Sequence, residues 1–271
     1  MSSSSLIIKG WSAWMPGIHA LEEWKAWAAG HAIPQAGSRP DVSGIPPMLR
    51  RRLSSLGKMA LSVAFPLLED VDTDIPYVFS SRHGELERTV GLLKSLAGQE
   101  PLSPTQFSLS VHNAIAGVMS IATKNPSSIT ALSADLSTTL LEAVAIMDEQ
   151  SSQHLLCVVY DEPVPEIYAG QEGSPRHPFA IAFLVAPAPS STETGPRQGN
   201  DLHLTFSICK NPDTPTAADT MAISTTADGP PPLAFLKFLL SPTVKELTLS
   251  GKRHGWHWTK PGMAANANRA Q

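Results

Sequence analysis

Four short stretches bring together side chains that could do chemistry. Ser81-Arg82-His83 sets a hydroxyl two positions from an imidazole, the raw material of a nucleophile and its base. Residues so close along a chain rarely point at each other, and a capping serine beside a hydrogen-bonded turn histidine is the plainer account. Ser110-Val111-His112-Asn113 is the richer cluster. Its histidine and amide, near Gly117, could line a pocket; buried and hydrogen-bonded, they could equally hold together the start of a helix. Asp161-Glu162 offers two carboxylates, but glycosidase-type acid/base work needs two such groups in opposed environments, and before Pro163 a strand-end turn suffices. His254, Trp256, His257 and Trp258 close the list, and two histidines without a third ligand make a poor metal site. If that segment is a strand, alternation puts both tryptophans on one face and His257 on the other.

Local motifs name no enzyme: GxGxxG, the Walker loop, the GxSxG elbow and HExxH do not occur. The two cysteines, Cys157 and Cys209, lie in β-rich runs without CxxC spacing. Buried free thiols are expected, with no disulfide, zinc site or cofactor.

These residues need elements to position them. A chain of 271 residues can bury a substantial core as one sizeable domain or two small ones, and 42% hydrophobic content suits a soluble globular protein. The net charge of −4, with no basic stripe interleaved with aromatics, argues against nucleic acid. There is no basic leader and no run of roughly 18 apolar residues, so a cytoplasmic protein without a membrane span is expected.

Strands are expected over 6–14, 75–80, 129–134, 155–160, 179–186, 202–209 and 244–249, and helices over 19–30, 48–68, 85–96, 137–147 and 232–240. In the helix at 48–68, Leu49, Leu53, Leu56, Met59 and Val63 recur at helical spacing. Arg50, Arg51 and Arg52 would oppose the dipole at its N-terminal end, which points to an outside partner unless they simply form a solvated face. Leu86, Val90, Leu93 and Leu96 should form a buried stripe on the helix at 85–96. Segments 179–186 and 202–209 read as neighbours that could pair in an edge hairpin, and 187–200 and 211–232 as mobile loops. Alternating strands and helices imply an α/β layered domain over 1–250, its sheet mixed but mostly parallel with helices on both faces. Residues 251–271 read as a C-terminal extension, disordered over 263–271.

Three stretches carry a family resemblance: 48–64 (MLRRRLSSLGKMALSVA), 79–87 (FSSRHGELE) and above all 103–121 (SPTQFSLSVHNAIAGVMSI). They resemble the short β-ketoacyl-synthase-like proteins that match the N-terminal half of ketosynthases and occur in type II polyketide systems, such as those making aryl polyenes. The likeness covers roughly 6–185 and is most specific at SPxxFSxSVHN. It implies a thiolase-like layered fold, N-terminal half only. In a working ketosynthase, the strand equivalent to 129–134 leads into a turn bearing a nucleophilic cysteine, whose pKa the following helix lowers. Here the turn reads Ser133-Ala134-Asp135-Leu136-Ser137-Thr138, with Asp135 near the nucleophile position. An aspartate caps a helix well but cannot carry the thioester. The two catalytic histidines of a ketosynthase's C-terminal half have no counterpart here either.

The resemblance therefore implies a non-catalytic, chain-length-factor-like partner of an active β-ketoacyl-ACP synthase, in type II polyketide (aryl-polyene-like) or fatty-acid-like biosynthesis. Phe107 and Val111 would line or gate the acyl tunnel, with Ser110, His112 and Asn113 forming a motif pocket beside them. Ile129, Thr130, Ala131 and Leu132 would pair across the heterodimer interface. The Arg50–Arg52 cluster would face the ketosynthase or an acidic acyl carrier protein. Two other readings stay open. One is an acyltransferase or hydrolase acting on carrier-bound acyl groups through Ser110/His112 or Ser81/His83; the other is a scaffold that binds acyl carrier protein without shaping a tunnel.

Overall fold

A computed structural model describes residues 3–35, 37–69, 71, 74–170, 174–189, 201–211, 230–251 and 254–260. Most of the loops expected at 187–200 and 211–232, and the tail at 263–271, lie outside the described residues. The chain runs β1 (Ser3–Trp14), α1 (Leu21–Ala28), α2 (Pro47–Arg50), α3 (Ser55–Ala64), β2 (Tyr77–Ser80), α4 (Leu86–Ala97), α5 (Pro104–Ser108) and α6 (Ala114–Thr123). It continues through β3 (Ile129–Leu132), α7 (Leu136–Gln150), β4 (Leu155–Asp161), β5 (Phe179–Pro187), β6 (Leu202–Cys209), α8 (Pro231–Leu240), β7 (Glu246–Leu249) and β8 (Gly255–Thr259).

All eight strands join one sheet in the order β3-β2-β4-β5-β1-β6-β8-β7. The sheet is thiolase-like and mixed, but mostly antiparallel, contrary to the expectation from strand–helix alternation. Only β2 pairs in parallel, with β3 and β4. Helices return the chain between those strands (α4–α6, then α7), as a parallel pairing requires. Between β4 and β5 the described chain holds only a 3-10 turn at Glu166–Tyr168, and β5 comes back antiparallel. The hairpin of 179–186 with 202–209 does not form, because β1 lies between β5 and β6 and pairs with both.

Helices cover both faces, and β4 shows how the sequence serves two cores. Leu155, Cys157 and Val159 enter the core shared with α1, α7 and α8, while Leu156, Val158 and Tyr160 enter the one shared with α3 and α6. A strand buried on both sides must be apolar throughout, and this one is until Asp161. The next strand, β5, sorts its residues by size. Phe179, Ile181, Phe183 and Val185 face the first core, and Ala180, Ala182 and Leu184 face the second, where α3 packs against the strand. In β1, Leu6 and Ile8 share a core with Ala13 and Met15, although their positions differ in parity. The irregularity between Ile8 and Gly10 supplies the shift, since one extra residue exchanges the faces of all that follow.

Two helix expectations change. The single helix over 48–68 is broken: α2 ends at Arg50, and Ser54 caps α3 by accepting the Gly57 amide at 3.0 Å. Arg50 sits in the last turn of α2, with Arg51 and Arg52 exposed in the turn after it, so none opposes the dipole of α3. In α4 only Val90 is buried; Leu93 and Leu96 are 51% and 60% exposed. This helix packs against α5 rather than lying along the sheet, which turns its leucines outward.

Residues 255–259, expected at the start of a C-terminal extension, are instead β8, held between β6 and β7. Trp256 and Trp258 share one buried face, as alternation requires. Trp258 stacks on Phe206 at 4.4 Å between ring centroids and donates its indole N–H to Ser137 Oγ at 3.1 Å. The small side chains of β5 opposite α3 leave no room for enlargement. Ala182→Leu should cost about 1–3 kcal/mol by overpacking, read as a lower urea midpoint with an unchanged slope.

Candidate functional site

Because β2 runs parallel to both β3 and β4, the C-terminal ends of all three open side by side. Asp161, the last residue of β4, gathers the turn after β2. It accepts the Ser81 hydroxyl at 2.8 Å, the Arg82 amide at 2.9 Å and the His83 amide at 3.4 Å. Ser81 Oγ in turn accepts the Gly84 amide at 2.8 Å. Gly84 has φ +57°, and a Cβ there would lie 2.5 Å from His112 Nδ1, so glycine is required on two counts. His112 Nε2 lies 2.7 Å from the Leu132 carbonyl, which can only accept; the ring proton is therefore on Nε2.

A second network adjoins the first. Buried Glu85 accepts the Ser54 hydroxyl at 2.7 Å and Arg88 Nε at 3.2 Å. Arg88 also donates to the Gln106 side-chain oxygen and to the Arg52 carbonyl, joining α4, α5 and the turn before α3. Glu162 accepts the Ser55 hydroxyl at 3.1 Å.

The turn after β3 is tied down by its own hydroxyls and its neighbour's. Ser133 Oγ donates to the Arg82 carbonyl at 2.9 Å, and Ser80 Oγ donates to the Ala134 carbonyl at 3.1 Å. Asp135 is the N-cap of α7, its carboxylate accepting the Thr138 amide at 2.8 Å. Buried Ser137 serves Trp258. Ser133, Ala134, Asp135 and Ser137 thus lie together at the start of α7, with a carboxylate on the positive helix end.

Neither serine–histidine pair is assembled as a dyad. Ser81 donates to Asp161, and Ser110 donates to the Phe107 carbonyl at 2.8 Å while His112 bonds Leu132. His83 Nε2 is buried without a hydrogen-bond partner. Asn113 stands at the N-cap of α6 and makes no side-chain cap bond. Phe107 and Val111 are 63% and 45% exposed. Ile129, Thr130, Ala131 and Leu132 are half-buried on β3, the strand that ends the sheet. Both cysteines are free, and burial pushes the Cys157 thiol far up, away from the thiolate. Among the described residues no cluster could hold a metal; His257 Nδ1 lies 3.3 Å from Thr248 Oγ1.

Sequence reasoning weighed Asp161 only as half of a carboxylate pair, and it missed the Glu85–Arg88 network entirely. The signal was present in SSRHGE: two serines, an arginine, a histidine, a glycine and a glutamate in succession where a strand gives way to a helix.

Burial shifts the two carboxylates in the same direction. Burial raises the Asp161 carboxyl above its ordinary value, outweighing the hydrogen bonds from Ser81, Arg82 and His83 that oppose it. Glu162 is raised by burial too, opposed by Ser55 and reinforced by the charges of Glu85, Glu87 and Asp161. A carboxyl raised in the folded state binds its proton more readily there than in the unfolded chain. Stability contributed by these groups therefore grows as pH falls through the raised value and levels off below the unfolded one. Glu162→Gln should raise the urea midpoint at neutral pH and reduce the gain that the unsubstituted protein shows as the pH is lowered.

Against known proteins, the family model for the N-terminal domain of beta-ketoacyl synthases matches residues 24–259, well past the 185 at which the resemblance was expected to end. Among solved structures, the chain is similar to one in the complex of a ketosynthase (ApeO) with its chain length factor (ApeC) from Xenorhabdus doucetiae. Identity is 29% and the TM-score 0.76, over 94% of this chain and 99% of that one. The fold is shared with the ishigamide ketosynthase/chain length factor, at 15% identity and TM-score 0.65, over 96% of this chain and 100% of that one. It is also shared with AntDE:AntF, a type II polyketide synthase acyl-carrier protein in complex with its ketosynthase, at 11% identity and TM-score 0.63, over 97% and 100%. No curated protein sequence matches.

Proposed function

The chain belongs to the beta-ketoacyl synthase N-terminal-domain family, and from that membership we propose that it is the non-catalytic, chain-length-factor-like partner of a β-ketoacyl-ACP synthase. The observation that carries this reading is the open side of β3. Ile129-Thr130-Ala131-Leu132 ends the sheet with no charge, proline or bulge to defend it. Edge strands left bare in this way are a liability unless something covers them. His112 fixes the segment bearing Val111 to the end of β3, and α6, which packs by β3, exposes Ile121 at 66%. Leu93, Leu96 and Phe107 add further exposed apolar side chains on α4 and α5. A ketosynthase that pairs with β3 would bury this surface.

The turn at 133–138 supports the absence of condensation chemistry, because a capping carboxylate offers no sulfur for a thioester. The likeness to a chain of the ApeO–ApeC complex supports a heterodimeric role. The pathway we propose for it is aryl-polyene-like type II polyketide biosynthesis, in the cytoplasm. No helix among the described residues is long and apolar enough to cross a membrane. Arg51 and Arg52, exposed beyond α2, suit an acidic acyl carrier protein as a further contact.

A ketosynthase encoded beside this chain should co-purify with it in equal amounts. Thr130→Lys, which places a charge on the sheet edge, should abolish co-purification while leaving the circular dichroism spectrum unchanged. A well-behaved monomer that ignores the ketosynthase would refute the pairing. In the reconstituted pair, Phe107→Ala should lengthen the products if Phe107 bounds the acyl tunnel, and an unchanged product spectrum would remove it from that role.

A further inference from the structure

On the α3 side of the sheet lies a cavity of about 870 Å3, away from the edge of β3. Trp14 at the end of β1 and Met59 of α3 line it, and Pro34, Gly37, Ser38, Arg39, Pro40 and Val42 supply another wall. Glu162 and the residues just before β5 complete it. Its volume lies within the range of about 300–1,000 Å3 typical of small-molecule sites, and its walls are largely apolar.

Three cations from three separate elements line it, Arg39 from the loop before α2, Arg50 from α2 and Lys58 from α3, with His177 as a further polar group. None of the three makes an ion pair among the described residues. Asp41 attracts Arg50, but its carboxylate is engaged by the Ser43 amide at 2.8 Å, and it does not line the cavity. Glu162 is the one carboxylate in the wall, and it is occupied by Ser55. Three positive charges against one negative leave a surplus of two. A phosphate monoester, of about −2, would neutralise that surplus, and a carboxylate only half of it. Guanidinium groups also fit phosphate oxygens two at a time, which suits Arg39 and Arg50.

We propose that this cavity binds an organic phosphate: a small molecule with an apolar body seated against Trp14, Val42 and Met59 and a phosphate head held by Arg39, Arg50 and Lys58. The proposal does not depend on the pairing through β3, because the site is built from this chain alone.

The test is calorimetric titration of the purified full chain, alone or with its ketosynthase, using decyl phosphate below its micelle concentration. Decanoate, inorganic phosphate and octyl glucoside are titrated in parallel. Decyl phosphate should bind best; the carboxylate should be weaker, and the headgroup alone and the neutral amphiphile should fail. The double substitution Arg39→Gln/Lys58→Gln should weaken decyl phosphate by about tenfold or more. Ser38→Trp, on the loop wall, should block it by filling the cavity without touching the core. Co-sedimentation with vesicles containing phosphatidic acid would assign a phospholipid as the source of the phosphate, and its absence a soluble ester. Equal binding of decanoate or octyl glucoside, or binding unaffected by either variant, would overturn the proposal.

Discussion

Burial on both faces governs this sheet. Once α1, α7 and α8 cover one side and α3 and α6 the other, the middle strands can carry nothing but apolar side chains, and β4 and β5 obey with scarcely an exception. The same constraint explains the size sorting along β5 and the irregularity in β1, which moves Ala13 and Met15 onto the face already used by Leu6 and Ile8. With both faces taken, chemistry and recognition are left to the strand ends and the sheet margins. Polar side chains accordingly collect where β2, β3 and β4 terminate.

At those ends the polar groups mostly serve one another. Asp161 orders the turn after β2, Glu85 and Arg88 tie three segments together, and the turn after β3 is sewn to the turn after β2 by Ser133 and Ser80. In a relative with a thiol at this turn, the same scaffolding would hold a nucleophile at the positive end of α7. Here it holds a carboxylate whose hydrogen bond completes the helix. The polar groups of this turn are engaged in hydrogen bonds that hold the fold.

Much of this was legible from the residues. Apolar runs located β4, β5 and α8, and the stretch SPTQFSLSVHN carried the family. The absence of a cysteine between β3 and α7 could be read directly. Other features depended on distant partners that no local window contains. The helix over 48–68 looked continuous because its leucines kept helical spacing across the break, although Ser54 caps α3 and Pro66 marks the 3-10 turn at its far end. Leu93 and Leu96 read as core because periodicity reports an apolar face and not what that face meets. The insertion of β1 between β5 and β6 left no local mark at all, and with it went the expected hairpin and the parallel sheet.

That insertion has a consequence for how the molecule is made. Leu6 is paired with Pro187 on one side and Leu204 on the other, so β1 cannot complete either pairing until β5 and β6, far later in the chain, have been synthesised. Until then a strand of a dozen residues bearing Leu6, Ile7, Ile8, Trp11 and Trp14 has no lawful neighbour. Nucleation must begin among β2, β3, β4 and their helices, whose contacts are closer in sequence, with β1 threading in late and slowly. During that interval the chain is most exposed to mispairing, and a chaperone holding β1 would matter more than one acting on the finished fold.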